Sequence, residues 1–255
     1  PLVNCILWTV PLIVSFILSL LCLRQYTLKK TLQHKYLFHL YNILMFTYLY
    51  TYFYYKELWV ILSNIYVITI PVNLMSFPVF YFYLYTIIQG TDITAKKRLP
   101  HLLPALIVLL LMLPFMYIGS ETRNDFVQLK LLNDHSNPLL EYIRYVQNVV
   151  MFGVVNLQCL FYFVLIMKNL SGKKVRRTKL YSKTVLTERI LLSMLFFTLL
   201  MVLINYSYYL GVLSTLSSSI FFNFVSTLIM VFLFIWGFYQ KPMSGKIISM
   251  PQKEK

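Results

Sequence analysis

Residues 58–91 read LWVILSNIYVITIPVNLMSFPVFYFYLYTIIQGT, a run of 34 residues without Asp, Glu, Lys or Arg. About 20 apolar residues span the hydrocarbon core of a bilayer as a helix, so this run is long enough for at least one membrane passage. As one continuous helix it would measure about 51 Å at the helical rise per residue. Whether it crosses once or twice decides on which side of the membrane every later loop lies.

The composition of the whole chain is typical of an integral membrane protein. Hydrophobic residues make up 59% of the 255 residues, and charged residues only 12%. A soluble domain of this composition would have too little polar surface to stay monomeric. The three cysteines, Cys5, Cys22 and Cys159, lie inside apolar runs without CxxC spacing. This pattern predicts packing residues rather than a disulfide framework.

Charged residues and turn residues bound six further apolar spans. The uncharged run from 190 to 240 is long enough for two spans, and Gly211 with the serine-rich segment 214–219 supplies a turn between them. The predicted spans are, in chain order, Leu2–Leu23, Tyr36–Tyr55, 58–91, Leu99–Gly119, Tyr145–Met167, Ile190–Leu210 and Ile220–Gln240.

The distribution of basic residues favours a single passage for the 58–91 run. With one passage there, the loops 24–35, 90–98 and 168–189 share one side with the tail after Gln240, and these segments hold 19 of the 23 Lys and Arg residues. Two passages would move the later basic segments to the other side. Because loops rich in Lys and Arg stay in the cytoplasm, the single passage agrees with the charge distribution.

The predicted architecture is therefore an all-α bundle of seven transmembrane helices, with the N-terminus outside and the C-terminus in the cytoplasm. Residues 1–240 form this membrane domain, and residues 241–255 are a polar, basic linker toward a domain that would follow. Pro71 and Pro78 predict a bend in the third span, since proline interrupts the helical hydrogen bonds. Asn73 lies between them, where its side chain could satisfy a freed carbonyl.

No pattern of catalytic or metal-binding residues is found in the sequence. The four histidines, at positions 34, 39, 101 and 135, lack HxxxH or HExxH spacing, and there is no Walker loop or GxSxG motif. The predicted spans also contain no carboxylate at hydrocarbon depth, which counts against a transporter because coupled transport usually needs a charge there. The sequence therefore predicts neither an enzyme nor a bound metal or cofactor.

Aromatic and amide side chains near the predicted outer ends of the spans form a candidate ligand site. Two alternatives remain open, because Tyr and Trp favour the headgroup level of a bilayer and amides also join helices to one another. The outer segment 120–143 is long enough to cover such a site as a lid. The candidate residues are Tyr52, Tyr55, Trp59, Gln147, Asn148 and Asn205.

Two short segments carry a family resemblance. One is FPVFYFYLYTIIQG followed by KKRLPHLLPALI, with Pro78, Tyr85, His101 and Pro104 at the matching positions, and the other is WGFYQKPMSG, with Gly237, Phe238 and Gln240. Together with the hydropathy layout, they resemble the membrane-sensor half of a bacterial group of AraC-family regulators. In that group an N-terminal helical membrane domain precedes a cytoplasmic helix-turn-helix domain that binds DNA.

The resemblance implies a sensor in the bacterial cytoplasmic membrane, in which a ligand from outside or from the bilayer changes the cytoplasmic end of the last span. The DNA-binding half is absent from residues 1–255, so these residues would not contact nucleic acid themselves. Their expected partners are the lipid bilayer and an unidentified ligand, and a homodimer is compatible with this arrangement. The alternatives are the sensor of a peptide-responsive histidine kinase and, in a different class, a small transporter or membrane enzyme. The sequence downstream of Lys255 would distinguish them.

Overall fold

A computed structural model describes residues 2–128, 136–170, 188, 190–199, 201 and 216–239, and the regular structure in these ranges is entirely helical. A 3-10 turn extends the fifth helix, and a π-helical segment joins the seventh to the eighth. The α-helices are α1 Leu2–Lys29, α2 Leu32–Tyr55, α3 Trp59–Leu74, α4 Ser76–Gln89, α5 Ala95–Met112, α6 Ser120–Val127, α7 Pro138–Asn148, α8 Val155–Leu170, α9 Ile190–Leu199 and α10 Leu216–Tyr239; the 3-10 turn is Leu113–Tyr117 and the π segment Val149–Val154.

Within the described ranges, four helical stretches are long and apolar enough to cross a membrane. They are Thr9–Lys29, Trp59–Gln89, Ala95–Tyr117 and Pro138–Leu170. Apolar side chains of α5 and α8 point away from the bundle, among them Leu106, which is 51% exposed. A helical chain with such exposed apolar faces is suited to lipid, so the structure supports a membrane protein.

The 58–91 run forms one helical stretch without a hairpin, as a single passage requires, and α2 packs against its whole length. Near one end of α2 the ring of Tyr50 lies 6.5 Å from that of Tyr66, and near the other end Tyr36 lies 5.7 Å from Phe82. A hairpin in the run would place both of its arms beside the same part of α2. The observed contacts instead follow α3 and α4 in succession, antiparallel to α2.

The passage is interrupted at Met75, between α3 and α4. Proline clashes with the carbonyl four residues earlier, and for Pro78 that residue is Leu74, the last residue of α3. The Asn73 carbonyl at the break accepts a hydrogen bond from the Ser76 hydroxyl at 2.7 Å. The Asn73 side chain was predicted to satisfy a freed carbonyl, but it instead accepts a hydrogen bond from the hydroxyl of Thr47 on α2.

The α3–α4 passage lies at the centre of the bundle. In its most apolar 18-residue segment, 56% of the segment is buried inside the bundle. In the other three long stretches, the buried share of the corresponding segment is between 22% and 28%. On α5, His101 lies beside Tyr81 of α4, and the Phe115 ring at the other end lies 5.1 Å from Tyr66 of α3. This helix therefore runs antiparallel to the central passage.

The α7–α8 segment runs parallel to the central passage. Gln147 bonds to Tyr66 on α3, while Tyr162 and Asn169 contact Tyr81 on α4. The next helix, α9, packs on α4 through Phe197, whose ring stacks on that of Phe80 at 4.0 Å.

The last helix, α10, packs on α1 and α2. The Tyr41 hydroxyl of α2 donates to the carbonyl of Met230 at 3.1 Å, and Tyr48, further along α2, lies beside Ser226. Residue numbers fall along α10 as they rise along α2, so the two helices are antiparallel. The C-terminal end of α10 therefore lies at the end of the bundle where α2 begins.

The two ends of the bundle differ in charge. The α1–α2 turn and the α4–α5 turn meet where Lys35 and Arg98 both approach Asp92, and the end of α8 joins them through a 3.5 Å hydrogen bond from Gln89 to Asn169. This end, called the basic end below, carries most of the basic residues of the described chain. Acidic residues of α6 and α7 lie at the opposite end.

Several boundaries differ from the predicted ones. The helix of the first span continues to Lys29, and that of the fifth span begins at Pro138 instead of Tyr145. Part of the predicted lid is the helix α6. The greater part of the 168–189 loop, the second half of the sixth span and the linker 241–255 lie outside the described residues.

Candidate functional site

Three aromatic rings fill the bundle at the end opposite the basic end. The Tyr66 ring of α3 lies 5.1 Å from Phe115 and 5.7 Å from Phe126, and these two phenylalanine rings are 5.4 Å apart. The guanidinium carbon of Arg144 lies 5.7 Å from the centre of the Phe126 ring. We call these three rings the outer aromatic cluster, after the side of the membrane to which the predicted topology assigns this end.

One predicted site residue is bonded directly to this cluster. The hydroxyl of Tyr66 donates to Oε1 of Gln147 at 2.5 Å. Tyr66 is buried, at 3% exposure, and Gln147 is half-buried. Since Gln147 joins α7 to α3 here, this amide has a structural partner in addition to any ligand that it could bind.

The other predicted site residues lie at different positions around this end. Trp59 packs against the same apolar core, with its ring edge-on to Tyr54 at 5.3 Å. Tyr52 and Tyr55 are partly buried, and the ring of Tyr52 lies 6.0 Å from the ammonium group of Lys56. Asn148 is exposed, and Asn205 lies outside the described residues. The structure thus brings Trp59 and Gln147 to one core, and a ligand site formed by all six residues stays a prediction.

Residues of α6 contribute to this end, which the sequence did not indicate. Phe126 and Val127 are buried in the core, and the hydroxyl of Ser63 on α3 donates to Oδ1 of Asn124 at 2.7 Å. The segment is polar except at its last positions, so its helical packing gives only a weak hydrophobic pattern. The first part of the predicted lid, helix α6, is thus packed onto α3.

At the basic end, the carboxylate of Asp92 contacts three side chains and one backbone N–H group. Asp92 accepts a hydrogen bond from the hydroxyl of Tyr36, and its Oδ2 lies 3.9 Å from the Lys35 ammonium and 3.6 Å from the Arg98 guanidinium. Its other oxygen accepts the backbone N–H of Ile93 at 2.8 Å. These contacts join the start of α2 to the start of α5.

A second polar contact joins α5 to α8 beside the central passage. Nδ1 of His101 is 3.1 Å from the hydroxyl of Tyr162, in a group of rings that includes Tyr81 and Phe82. Across the described residues, no group of three or more His, Cys, Asp or Glu side chains could hold a metal ion. The contacts of His101 are ring packing and this one hydrogen bond.

No protein-family profile, curated protein or solved structure matches this chain. Its function has to be inferred from the arrangement of its own residues.

Proposed function

We propose that this chain is the membrane-embedded sensing domain of a bacterial transcriptional regulator of the AraC family. In this proposal, ligand binding at the outer end is relayed to a cytoplasmic DNA-binding domain that follows the chain. The observation that carries the proposal is the direction of α10, which ends at the basic end of the bundle. A domain following α10 would then emerge on the side that the positive-inside rule assigns to the cytoplasm.

The proposed topology has seven passages, with the N-terminus outside. Four passages correspond to the long apolar stretches. For α2, support comes from its 24 residues, a length of about 36 Å, and from its packing between α1 and the central passage. For the last two, support comes from the apolar helices Ile190–Leu199 and Phe224–Ile235. An odd number of passages agrees with an outer N-terminus and a cytoplasmic C-terminus.

The charge asymmetry of the described residues supports the same orientation. The segments 24–35 and 90–98 hold seven Lys or Arg residues and one acid, and they meet at Asp92. The outer aromatic cluster then lies on the external side, with the carboxylates of α6 and α7 nearby. In this orientation, the described ligand candidates would lie on the side from which an extracellular signal arrives.

Reporter fusions test the topology. A reporter that is active only in the cytoplasm should be active after Lys255 and within 168–189, and inactive near Asn133, while a reporter that requires export should show the reverse pattern. Activity of the exported reporter within 168–189 would contradict the proposed orientation, and with it the proposal that the chain belongs to a transcriptional regulator.

The coding sequence downstream of Lys255 tests the function itself. Two helix-turn-helix units there would support the regulator. A dimerisation helix with a phosphoacceptor histidine would instead indicate the sensor of a histidine kinase, which shares the topology but differs in output.

A further inference from the structure

We propose that a groove on the lipid-facing side of the bundle binds one anionic glycerophospholipid, with the phosphate at Lys35 and Arg98 and an acyl chain along the groove. The proposal requires that the bundle lies in a membrane, and it does not depend on the sensing function. The groove has a volume of about 500 Å³ and lies where α2 and α5 flank the central passage. Its lining residues are Lys35, Tyr36, His39, Asn42, Ile43, Phe46, Val72, Met75, Val79, Phe82, Arg98 and Leu102.

The polarity of the groove changes along its length as that of a phospholipid does. Lys35 and Arg98 lie at the basic end, and beyond Asn42 the α2 wall is apolar as far as Phe46. Along α2, the distance from Lys35 to Phe46 is about 17 Å at the helical rise per residue. This is roughly half of the ~30 Å hydrocarbon thickness of a bilayer. The groove therefore matches the reach of one lipid from its headgroup level into one leaflet.

The basic end has cationic groups that Asp92 does not fully engage. The Lys35 and Arg98 nitrogens lie 3.9 Å and 3.6 Å from Asp92, beyond normal hydrogen-bond length. Nε of Arg98 is shielded from solvent and has no hydrogen-bond partner among the described residues. Guanidinium groups bind phosphate through paired N–H donors, and the Arg98 side chain is 31% exposed, so its outer N–H groups can meet a lipid phosphate.

The surrounding charge also favours an anion. The turns that meet at this end carry seven basic residues and only one acid. Basic pockets between transmembrane helices at the headgroup level are suited to anionic lipid headgroups. A zwitterionic lipid would bring its own cation into the same field and would be less favoured.

Two polar side chains follow the cations at the depth of the lipid ester groups. His39 is exposed in the groove about 6 Å beyond Lys35 along α2. Asn42 lies one turn further, and its amide donates to the carbonyl of Phe38 at 2.8 Å. Polar groups facing hydrocarbon are unfavourable without partners, and an ester carbonyl accepts the N–H groups that these side chains present.

Native mass spectrometry of the purified 255-residue chain tests the proposal, with phosphatidylglycerol and phosphatidylcholine of identical acyl chains as probes. Phosphatidylglycerol should be retained at least tenfold more strongly. The double variant K35Q/R98Q should lose at least tenfold of that affinity. The matched control K96Q/K97Q removes the same charge from exposed neighbours outside the groove and should change it less than twofold.

Two variants that keep both cations make the test independent of the folding of K35Q/R98Q. Substitution of Ile43 by Trp obstructs the groove and should weaken phosphatidylglycerol binding about tenfold, whereas Leu106→Trp, on an exposed face outside the groove, should not. Asp92→Asn removes the competing carboxylate and should strengthen binding about threefold. Equal retention of both lipids, equal losses in K35Q/R98Q and K96Q/K97Q, or unchanged binding in the Ile43 and Asp92 variants would each overturn the proposal.

Discussion

Replacing Gln147 by leucine removes the acceptor of the Tyr66 hydroxyl and tests whether this amide holds the bundle together. Hydrogen bonds between membrane helices contribute about 0.6 kcal/mol on average and up to about 1.7 kcal/mol. The 2.5 Å distance and the burial of Tyr66 favour the upper part of that range, whereas the partial exposure of Gln147 favours the lower part. We therefore expect Q147L to lower the free energy of unfolding by about 1 kcal/mol.

A double-mutant cycle measures this contribution by denaturant unfolding of the purified chain in micelles. Y66F should also lose about 1 kcal/mol, and the double variant Y66F/Q147L little more than either single variant, because both partners are then apolar. Asn148→Leu provides the control, since the neighbouring Asn148 is exposed, and its effect should stay within about 0.5 kcal/mol.

Additive losses in the double variant would refute the reasoning, because independent effects would mean that the hydrogen bond contributes nothing to stability. A different result would favour the ligand site. If Q147L and N148L leave unfolding unchanged but abolish the response of a full-length regulator to its signal, these amides serve recognition rather than helix packing.

Three further substitutions test the packing of the bundle by the same unfolding measurement. Phe197→Ala should lower the free energy of unfolding by about 2 kcal/mol, less than in a soluble core because a side chain exposed to lipid does not enter water. Leu195→Ala, on an exposed face of the same helix, should leave it almost unchanged. Equal losses in the two variants would contradict the stacking of Phe197 on α4. Asn73→Leu should cost about 1 kcal/mol through the lost Thr47 bond, and the exposed Asn64 of the same helix is the control. Asn137→Ala should lower the free energy of unfolding by about 1 kcal/mol. The Asn137 side chain caps α7 by accepting the N–H groups of its second and third residues at 3.0 and 3.3 Å. An unchanged free energy of unfolding would mean that the cap is dispensable.

The central passage was predictable because two independent patterns agreed on it. The 58–91 run is uncharged, and the distribution of basic residues in the loops around it favours a single crossing. The place of its interruption was predicted only as near Pro71 or Pro78. Proline acts on the turn before it, so the break at Met75 follows from the clash of Pro78 with Leu74. Which of two prolines dominates depends on packing against neighbouring helices, and that is not encoded locally.

The start of the fifth span shows why charge is a poor guide to helix ends. The charge pattern predicts that the fifth span begins at Tyr145, directly after Arg144, but the helix begins at Pro138, where Asn137 caps it. Asn followed by Pro is itself a helix-start signal, so this boundary could have been found. The outer aromatic cluster could not have been found in this way. Phe126 lies in a polar segment, and only the tertiary structure brings it to Tyr66.

The hydrogen bond between Thr47 and Asn73 has a consequence for the order in which the chain enters the bilayer. Thr47 is synthesised 26 residues before Asn73, so the amide can meet its partner as soon as the third passage inserts. Tyr66 instead waits for Gln147, which follows 81 residues later, a delay of about 4–16 s at usual synthesis rates. The helices α1 to α4 can therefore assemble as a unit during translation, while the outer aromatic cluster stays incomplete until α7 has been made.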